Sequence, residues 1–248
     1  MKKILLVTGG SRGIGAAIAT LAADRGYSVA INFVQRDDAA TKVINEIVAK
    51  GGEAIAVKAD LARETEIVRM FKEVDAKLGK LTALVNNTGI LDRQSEVRHT
   101  TGERLNRIFA VNAIAPFLCA REAIRRMALS NGGAGGNIVN ISSTAVKQGG
   151  PFHYVDYAAS KGALEVFTLG LAKELAADGI RVNAVRPGMV YTDIHASGGD
   201  PDRVDKVKEG IPMQRGGEPV EIARAVLWIL SEEASYCTGS ILDVSGGK

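Results

Sequence analysis

The sequence predicts an α/β protein built on one doubly wound parallel sheet of about seven strands, with helices on both faces. Short β-branched runs alternate with longer helical patterns along the whole 248-residue chain. These short runs are continuously apolar, as expected for strands that helices cover on both faces. The chain contains no internal repeat, low-complexity segment or proline-rich linker, which predicts a single domain over residues 1–248.

The predicted strands are the β-branched apolar runs, and each is followed by a longer helical pattern or a connecting loop. The strands span Ile4 to Thr8, Ser28 to Phe33, Ala54 to Ala59, Ala83 to Asn86, Asn137 to Ile141, Arg181 to Val185 and Ile241 to Val244. The helices span Gly13 to Arg25, Ala39 to Lys50, Glu64 to Leu78, Thr101 to Met127, Tyr157 to Ala177 and Pro219 to Leu230. Strand-helix-strand order implies right-handed crossovers between parallel strands.

One irregular stretch interrupts this alternation between the sixth strand and the last helix. It covers about residues 195–217 and contains the sequences ASGGDPDR and MQRGGEP. Long irregular segments in compact domains are often functional. The stretch therefore predicts a substrate lid over a ligand crevice.

Composition and charge exclude several classes of protein. Apolar residues make up 46% of the chain and charged residues 24%, which is typical of a folded globular protein. The net charge is +3 with scattered basic residues, so nucleic acid is not an expected partner. No run reaches the roughly 20 apolar residues that span a bilayer, and the N-terminal MKKILLV predicts a strand instead of a signal peptide. We therefore expect no membrane association and a cytoplasmic location.

The cysteines and histidines predict no metal site. Cys119 and Cys237 are far apart and stand in no CxxC or Cys/His spacing, which is typical of free thiols in a reducing compartment. None of the three histidines lies at metal-ligand spacing from another. We expect chemistry that does not use a catalytic metal.

A glycine turn follows the first predicted strand. The sequence TGGSRGIG places Gly9, Gly13 and Gly15 where strand passes into helix. Glycines let the backbone turn tightly and approach a pyrophosphate, while the helix N-terminus presents free N–H groups and a positive dipole end. The spacing is TGxxxGxG and not GxGxxG, and some such turns serve only packing. At this junction of an α/β chain the pattern favours nucleotide binding.

The end of the second predicted strand indicates which dinucleotide binds. NAD enzymes usually place an acid there for the ribose 2′-hydroxyl, whereas a 2′-phosphate needs cations. Phe33 occupies the expected acid position, Arg36 follows it, and Arg12 stands inside the glycine turn. Guanidinium groups bind phosphate in a bidentate manner. The pattern predicts NADP, and NAD stays open as an alternative because Asp37 and Asp38 adjoin Arg36.

Tyr157 and Lys161, in the sequence YAASK, form a candidate proton donor. A four-residue step returns to the same helix face, so the Lys161 ammonium is expected near the Tyr157 phenol. A neighbouring cation favours the phenolate, which predicts a lowered pKa for Tyr157. The same pair also occurs on ordinary surface helices, so other residues must support the interpretation.

Motifs along essentially the whole chain supply that support. They are TGGSRGIG, Asp60 in KADL, NNTG at 86–89, VNISS, YAASK, the segment from Arg181 to Pro187 and Gly188, and the terminal TGSILDVSGG. In this order they resemble the short-chain dehydrogenase/reductase family, which has a Rossmann-like fold. The stretch YVDYAASK and the predicted lid look closest to an uncharacterised bacterial branch grouped with sugar (glucose 1-) dehydrogenases.

The resemblance implies a catalytic group of Asn112, Ser143, Tyr157 and Lys161. Tyr157 would protonate the substrate oxygen, or deprotonate it in the oxidative direction, as hydride passes to or from the nicotinamide. Ser143 would hydrogen-bond that oxygen, with Ser142 as the neighbouring alternative. Lys161 would lower the pKa of Tyr157 and bind the nicotinamide ribose.

Asn112 also carries an argument from the residues. Pro116 lies four residues later and has no N–H to give the Asn112 carbonyl. The resemblance implies a kink here, with the freed carbonyl holding a water that links the lysine to solvent. The alternative is that Asn112 is an ordinary helical residue.

The glycine turn, the second strand and the resemblance together predict the residues of the cofactor site. These are Gly9, Ser11, Arg12, Gly13, Ile14, Gly15, Phe33, Arg36, Asp60, Leu61, Asn87, Gly89, Tyr157, Lys161, Pro187, Gly188, Val190 and Thr192. The resemblance implies that Val190 acts through its backbone and Thr192 through its hydroxyl on the nicotinamide carboxamide.

Two departures from the family pattern concern the pocket. Thr88 replaces the alanine of the NNAG element, which adds a hydroxyl that needs a partner. The loop from Thr144 to Asp156 is one residue longer than the common family spacing. The predicted substrate residues are Gln148, His153, Tyr154 and His195.

The resulting hypothesis is an NADP-dependent oxidoreductase that interconverts an alcohol and a ketone or aldehyde, acting on a small molecule. The resemblance also implies a homotetramer, with the Thr101 to Met127 and Tyr157 to Ala177 helices at one interface and the C-terminal segment at another. One alternative is 3-oxoacyl-carrier-protein reduction, for which Arg107, Arg125 and Arg126 hint at a cationic patch. Others are a non-catalytic NADP sensor, which would not retain the catalytic group, and a methyltransferase, which would not need YxxxK.

Overall fold

The computed structural model describes residues 2–248 and contains one seven-stranded parallel sheet. The strands are β1 (Lys3–Val7), β2 (Tyr27–Phe33), β3 (Ala54–Lys58), β4 (Ala83–Asn86), β5 (Gly136–Ile141), β6 (Ile180–Pro187) and β7 (Ile241–Val244). Their order across the sheet is β3-β2-β1-β4-β5-β6-β7, with every neighbouring pair parallel. The predicted fold class is confirmed.

Helices lie on both faces of this sheet. They are α1 (Gly13–Asp24), α2 (Asp37–Ala49), α3 (Glu64–Lys77), α4 (Gly102–Phe109), α5 (Ala115–Met127), α6 (Ala145–Gln148), α7 (Val155–Leu175), α8 (Ile194–Ser197), α9 (Arg203–Val207) and α10 (Pro219–Leu230). In β1, Leu5 and Val7 pack into one apolar core with Ile18 of α1, whereas Leu6 packs into the other with Phe71 of α3. Both faces of the strand are therefore buried, which explains why its sequence is apolar without interruption.

The topology creates a crevice beside β1. Leu5 of β1 pairs with Val29 of β2 on one side and with Ala83 of β4 on the other, and β2 and β3 extend the sheet in one direction while β4 to β7 extend it in the other. In open α/β sheets, ligands bind outside the carboxyl ends of the strands at such a switch point. The glycine turn follows β1 directly at this position.

The predicted helix from Thr101 to Met127 is interrupted. Residues Ala110–Ile114 form a π-helical turn between α4 and α5, and the Ala115 N–H bonds to the Ala110 carbonyl, five residues back. Pro116 cannot donate a backbone hydrogen bond, so the regular four-residue pattern cannot continue through this turn. Asn112 lies in the middle of the π-helical turn.

The segment after β6 contains short helices as well as irregular chain. Val190 and Gly217 form an isolated parallel bridge, with Gly217 N–H to Met189 O at 2.8 Å and Tyr191 N–H to Gly217 O at 3.0 Å. These bonds join the two ends of the segment that carries α8 and α9. Within residues 2–248, no helix combines the length and the apolar character that crossing a bilayer requires.

Candidate active site

A cleft of about 1060 Å³ opens at the carboxyl ends of the central strands. Loops that follow each of the strands β1 to β6 line it, together with the first turns of α7. Every site residue predicted from the sequence lines this cleft except Asn112 and Arg36. The topology thus brings together residues that are far apart in the chain.

The glycine turn forms one wall of the cleft and has a backbone that requires glycine. Gly9 and Gly13 have φ angles of +61° and +53°, in the left-handed region that other residues rarely adopt. A Cβ on Gly15 would lie 2.3 Å from the Gly9 carbonyl oxygen. The turn therefore leaves room for a ligand against the backbone at the start of α1, where the free N–H groups favour an anion.

The residues predicted to select the cofactor divide into two groups. Phe33 and Arg12 line the cleft, and no acid stands at the end of β2. Arg36 does not line it, because its guanidinium makes two hydrogen bonds to Asp38, Nε to Oδ1 and Nη2 to Oδ2, both at 3.1 Å. Arg36 and Asp38 form an exposed pair beside the cleft, and a role of Arg36 in the cofactor site stays a prediction.

The loop after β4 is fastened to the glycine turn by Thr8 and Asn87. Thr8 Oγ1 accepts hydrogen bonds from the N–H groups of Asn87 and Thr88 at 2.9 and 3.0 Å. Asn87 Nδ2 donates to the carbonyls of Thr8 and Gly9 at 2.9 and 3.1 Å. The Thr88 hydroxyl is buried and has no hydrogen-bond partner among residues 2–248. The structure therefore does not supply the partner that we expected this hydroxyl to need.

Tyr157 stands in the first turn of α7, which begins at Val155, two residues earlier than predicted. Burial raises the pKa of the Tyr157 phenol to about 12, and a hydrogen bond with the Ser143 side chain opposes this rise only in part. The predicted lowering of this pKa by Lys161 is therefore wrong for this arrangement. Desolvation disfavours the phenolate more strongly than the neighbouring groups stabilise it.

Lys161 is almost completely buried, with 2% of its surface exposed. Its Nζ donates a hydrogen bond to the Ile141 carbonyl at 2.8 Å and lies 5.9 Å from the centroid of the Tyr157 ring. Burial lowers the pKa of the Lys161 ammonium to about 8. Gly89 makes room for this amine, because a Cβ there would lie 3.2 Å from Lys161 Nζ.

The two serines at the end of β5 have different partners. Ser142 Oγ donates to Glu165 Oε1 at 2.6 Å, and Arg186 holds both oxygens of that carboxylate at 2.8 and 2.7 Å. Ser143 Oγ accepts from the Ala145 N–H at 3.1 Å, and Ser143 is the serine whose side chain lowers the pKa of Tyr157 in part. This geometry favours Ser143 as the group beside the tyrosine.

Asn112 lies behind the cleft and is fully buried. Its side chain accepts from the Ile90 N–H at 2.8 Å and donates to the Ile90 carbonyl at 3.0 Å and to Ser160 Oγ at 3.1 Å. Asn112 therefore joins the π-helical turn to the loop after β4 and to α7, which carries Tyr157 and Lys161.

The predicted substrate residues gather at the other end of the cleft. The Tyr154 hydroxyl donates to the Gly198 carbonyl at 3.3 Å, and His153 Nδ1 lies 2.9 Å from the Pro151 carbonyl oxygen. His195 Nε2 lies 3.0 Å from the Val190 carbonyl oxygen, which assigns the ring proton to Nε2. Burial lowers the pKa of His195, so this ring is neutral at pH 7. Gln148 completes this end from the last position of α6.

Sequence reasoning missed several residues of the cleft. Asn32 accepts from the Gly9 N–H at 3.3 Å and donates to the Ala59 carbonyl at 2.9 Å, so it supports the glycine turn from β2. A polar residue within an apolar strand was the available signal. Arg203 and Phe152 also line the substrate end; Arg203 lies in the predicted lid and Phe152 in the loop from Thr144 to Asp156, but neither was singled out.

The fold and the cleft define a nucleotide-binding oxidoreductase of the α/β class. Residues 9–248 match the model of a protein family that is described as "Enoyl-(Acyl carrier protein) reductase". The chain is 56% identical to the uncharacterized oxidoreductase YgfF of Escherichia coli K12, over 99% of each chain. It is 37% identical to the 3-oxoacyl-[acyl-carrier-protein] reductase FabG of Staphylococcus epidermidis, over 100% of this chain and 99% of the relative.

A solved structure agrees over the same length. A short-chain dehydrogenase from Burkholderia cenocepacia in complex with NADP superposes with a TM-score of 0.91 at 34% identity, covering 99% of this chain and 97% of the other. The chain belongs to the short-chain dehydrogenase/reductase family and is an oxidoreductase. The resemblance to a branch grouped with sugar dehydrogenases stays a prediction.

Proposed function

We propose that the protein is an NADP-dependent oxidoreductase that interconverts an alcohol and a ketone or aldehyde, with Tyr157 as the acid/base. The main support for this proposal is that Ser143, Tyr157 and Lys161 line the same cleft as the glycine turn. A hydride donor, a proton donor and an oxygen-binding hydroxyl are the parts that carbonyl reduction needs.

The residues of the cleft fit NADP. Gly9, Gly13 and Gly15 leave the backbone open to a pyrophosphate, and Arg12 offers a cation for a 2′-phosphate where Phe33 replaces an acid. The Burkholderia cenocepacia relative was solved in complex with NADP. When bound, the nicotinamide supplies or accepts the hydride.

The ionisation of Tyr157 favours the reductive direction at neutral pH. With a pKa of about 12, the phenol is protonated and able to donate. A carbonyl oxygen gains alkoxide character as the adjacent carbon is reduced, and an alkoxide is more basic than a phenolate. Proton transfer from Tyr157 to the substrate oxygen is therefore favourable without a lowered pKa. Ser143 holds the oxygen, and Lys161 and Asn112 hold the tyrosine end of α7 in place.

The test compares Tyr157→Phe with a matched control. Tyr157→Phe should lower kcat for NADPH-dependent carbonyl reduction by about a thousandfold, the range of general acid catalysis, with NADPH affinity nearly unchanged. Tyr236→Phe makes the same chemical change at a fully exposed side chain and should leave both values as in the parent. Full activity in Tyr157→Phe contradicts the acid assignment, and inactivity in the parent toward every carbonyl tested supports the non-catalytic sensor.

Reduction of 3-oxoacyl groups on a carrier protein is the second candidate, because the Staphylococcus epidermidis relative carries that name. The cationic patch that this activity needs is largely neutralised here. Arg125 pairs with Glu122 at 2.7 Å, and Arg126 pairs with Asp75 at 2.7 Å and Glu122 at 3.1 Å. Reduction of a carrier-bound 3-oxoacyl thioester at least tenfold more efficiently than the free thioester would favour this candidate over the first.

We also propose a cytoplasmic homotetramer. Exposed apolar side chains support an interface along α5 and α7, where Phe117 stacks on Phe167 with ring centroids 3.7 Å apart and Val166 is 71% exposed. Trp228, which is 39% exposed on α10, offers a second exposed face near the C-terminal segment. Light scattering on the purified protein should give four times the mass of one chain, and a monomer mass contradicts the proposal.

A further inference from the structure

Arg203 lies at the substrate end of the cleft and has no charged partner. It is the first residue of α9, and its side chain lines the cleft with Tyr154 and His195. Among residues 2–248, no carboxylate lies within 4.0 Å of its guanidinium, and no side-chain hydrogen bond involves it. Half-buried guanidinium groups are normally paired, so this cation is available to a ligand.

The position of the Arg203 guanidinium is fixed by packing. Its central carbon lies 5.0 Å from the centroid of the Tyr154 ring, a cation–π distance. Tyr154 is itself held by its hydrogen bond to the Gly198 carbonyl, and the next residue of α9, Val204, is buried. Tyr154 precedes Tyr157 by three residues at the start of α7, and both Arg203 and Tyr157 line the cleft.

The other titratable side chains near this end of the cleft are either paired with a group of opposite charge or neutral. Asp92 lines the cleft and is paired with Arg107, with Arg104 at 3.9 Å. Asp200 is paired with Lys206 at 2.5 Å. His195 is neutral at pH 7, as described above. Arg203 interacts with Asp200 only at longer range, and among the described residues it is the cation at this end of the cleft without a carboxylate within 4.0 Å.

We propose that the substrate carries an anionic group, a carboxylate or a phosphate, that pairs with Arg203 while its carbonyl oxygen meets Tyr157 and Ser143. Planar guanidinium groups match both anions, and a hydrogen bond between two ions is stronger than one between neutral groups. This inference rests on the proposed carbonyl reduction and names the class of molecule that the same site takes.

The experiment uses matched pairs of carbonyl compounds that differ in charge. Acetoacetate is compared with methyl acetoacetate, and dihydroxyacetone phosphate with dihydroxyacetone, as NADPH-dependent substrates of the full-length protein. The parent should prefer the anionic member of at least one pair by about tenfold or more in kcat/KM. The pair that shows the preference distinguishes a carboxylate from a phosphate.

Arg203→Gln should remove this preference, because kcat/KM for the anionic member falls about tenfold or more relative to that for the neutral member. Arg203→Lys should retain part of it, because a lysine keeps the charge but loses the planar fork. The control is Lys208→Gln, which removes one positive charge from the same segment at a residue that pairs with Asp205 and does not line the cleft. It should keep the parental preference.

The outcomes separate this inference from the proposed function. If the parent reduces both members of each pair equally, or if Arg203→Gln keeps the preference, the substrate is not recognised through an anionic group. Carbonyl reduction itself would still be supported by either result. If the parent reduces none of the four compounds, the proposed carbonyl reduction is contradicted. Calorimetric binding of the same compounds to the NADP-loaded protein then tests whether Arg203 binds an anionic group. Equal binding of charged and neutral members there, or binding that Arg203→Gln does not change, also overturns the inference.

Discussion

Arg104 on α4 and Asp156 on α7 form a largely buried ion pair, with Nε and Oδ2 2.5 Å apart. The other oxygen of Asp156 accepts the Tyr157 N–H at 2.8 Å, and Arg104 Nη1 also donates to the Arg93 carbonyl at 2.6 Å. The pair thus fixes the turn of α7 that presents Tyr157 and ties it to the loop lining the cleft. Arg104 and Asp156 are positioning residues in this account.

Arg104→Gln should destabilise the protein because it leaves the Asp156 carboxylate buried without its cation. We expect the free energy of unfolding to fall by about 3 kcal/mol in urea titrations, the usual cost of breaking a buried pair. Under conditions where the variant is folded, kcat should fall more than NADPH affinity, since the tyrosine loses its support. Arg98→Gln is the control, because its partner Glu96 is exposed and such surface pairs contribute little. Equal stability of Arg104→Gln and Arg98→Gln contradicts the positioning role.

The buried amine of Lys161 should make stability depend on pH in a defined window. Its pKa is about 8 in the folded state and 10.5 unperturbed, so the unfolded chain binds more protons between these values and stability rises with pH there. Below pH 8 both states are protonated and the full cost of burying the ammonium remains.

Lys161→Met should therefore be more stable than the parent at pH 7. The pKa shift corresponds to about 3 kcal/mol, and the lost hydrogen bond to Ile141 offsets about 1 kcal/mol of that gain. Urea titrations of both proteins should show the advantage of the variant shrinking between pH 8 and pH 10.5. A difference that does not change with pH would show that the amine is not desolvated as described.

Gly89→Ala should disturb the amine without removing it. The added Cβ would lie 3.2 Å from Lys161 Nζ, so the lysine must shift. We expect kcat/KM to fall by about tenfold or more, because displacement of a catalytic group by a fraction of an ångström is costly. Gly170→Ala on α7 is the control, since its Cβ would meet nothing within 4 Å and alanine favours the helix. Parental activity in Gly89→Ala contradicts the close packing of Lys161.

Cofactor choice should depend on Arg12 more than on Arg36. Arg12→Ala should weaken NADPH binding by about tenfold and leave NADH binding nearly unchanged, because only NADPH carries the 2′-phosphate. Arg36→Ala should have a smaller effect, since Asp38 already holds its guanidinium. Fluorescence titration with both cofactors measures this directly. Equal affinity for NADPH and NADH in the parent contradicts the phosphate assignment.

The sequence predicted what depends on local pattern. Apolar runs identified all seven strands, and the glycine turn and YAASK placed the two walls of the cleft. Pro116 indicated a disturbed helix at Asn112, although the π-helical turn itself depends on how α4 and α5 pack.

The remaining features depend on tertiary contacts that no local pattern encodes. The pKa of Tyr157 is set by desolvation, which outweighs the effect of the Ser143 side chain. Arg203 reaches the cleft only because α9 folds back onto Tyr154, a residue about fifty positions earlier.

Transfer of deuterium from NADPH that carries deuterium at both C4 positions of the nicotinamide reports directly on the proposed hydride transfer. The parent should place one deuterium on the former carbonyl carbon of the product for each NADPH consumed, as read by mass spectrometry. Tyr157→Phe should bind the labelled NADPH and form almost no product. Product formed without deuterium, or labelled product formed by Tyr157→Phe at the parental rate, would contradict hydride transfer with Tyr157 as the acid.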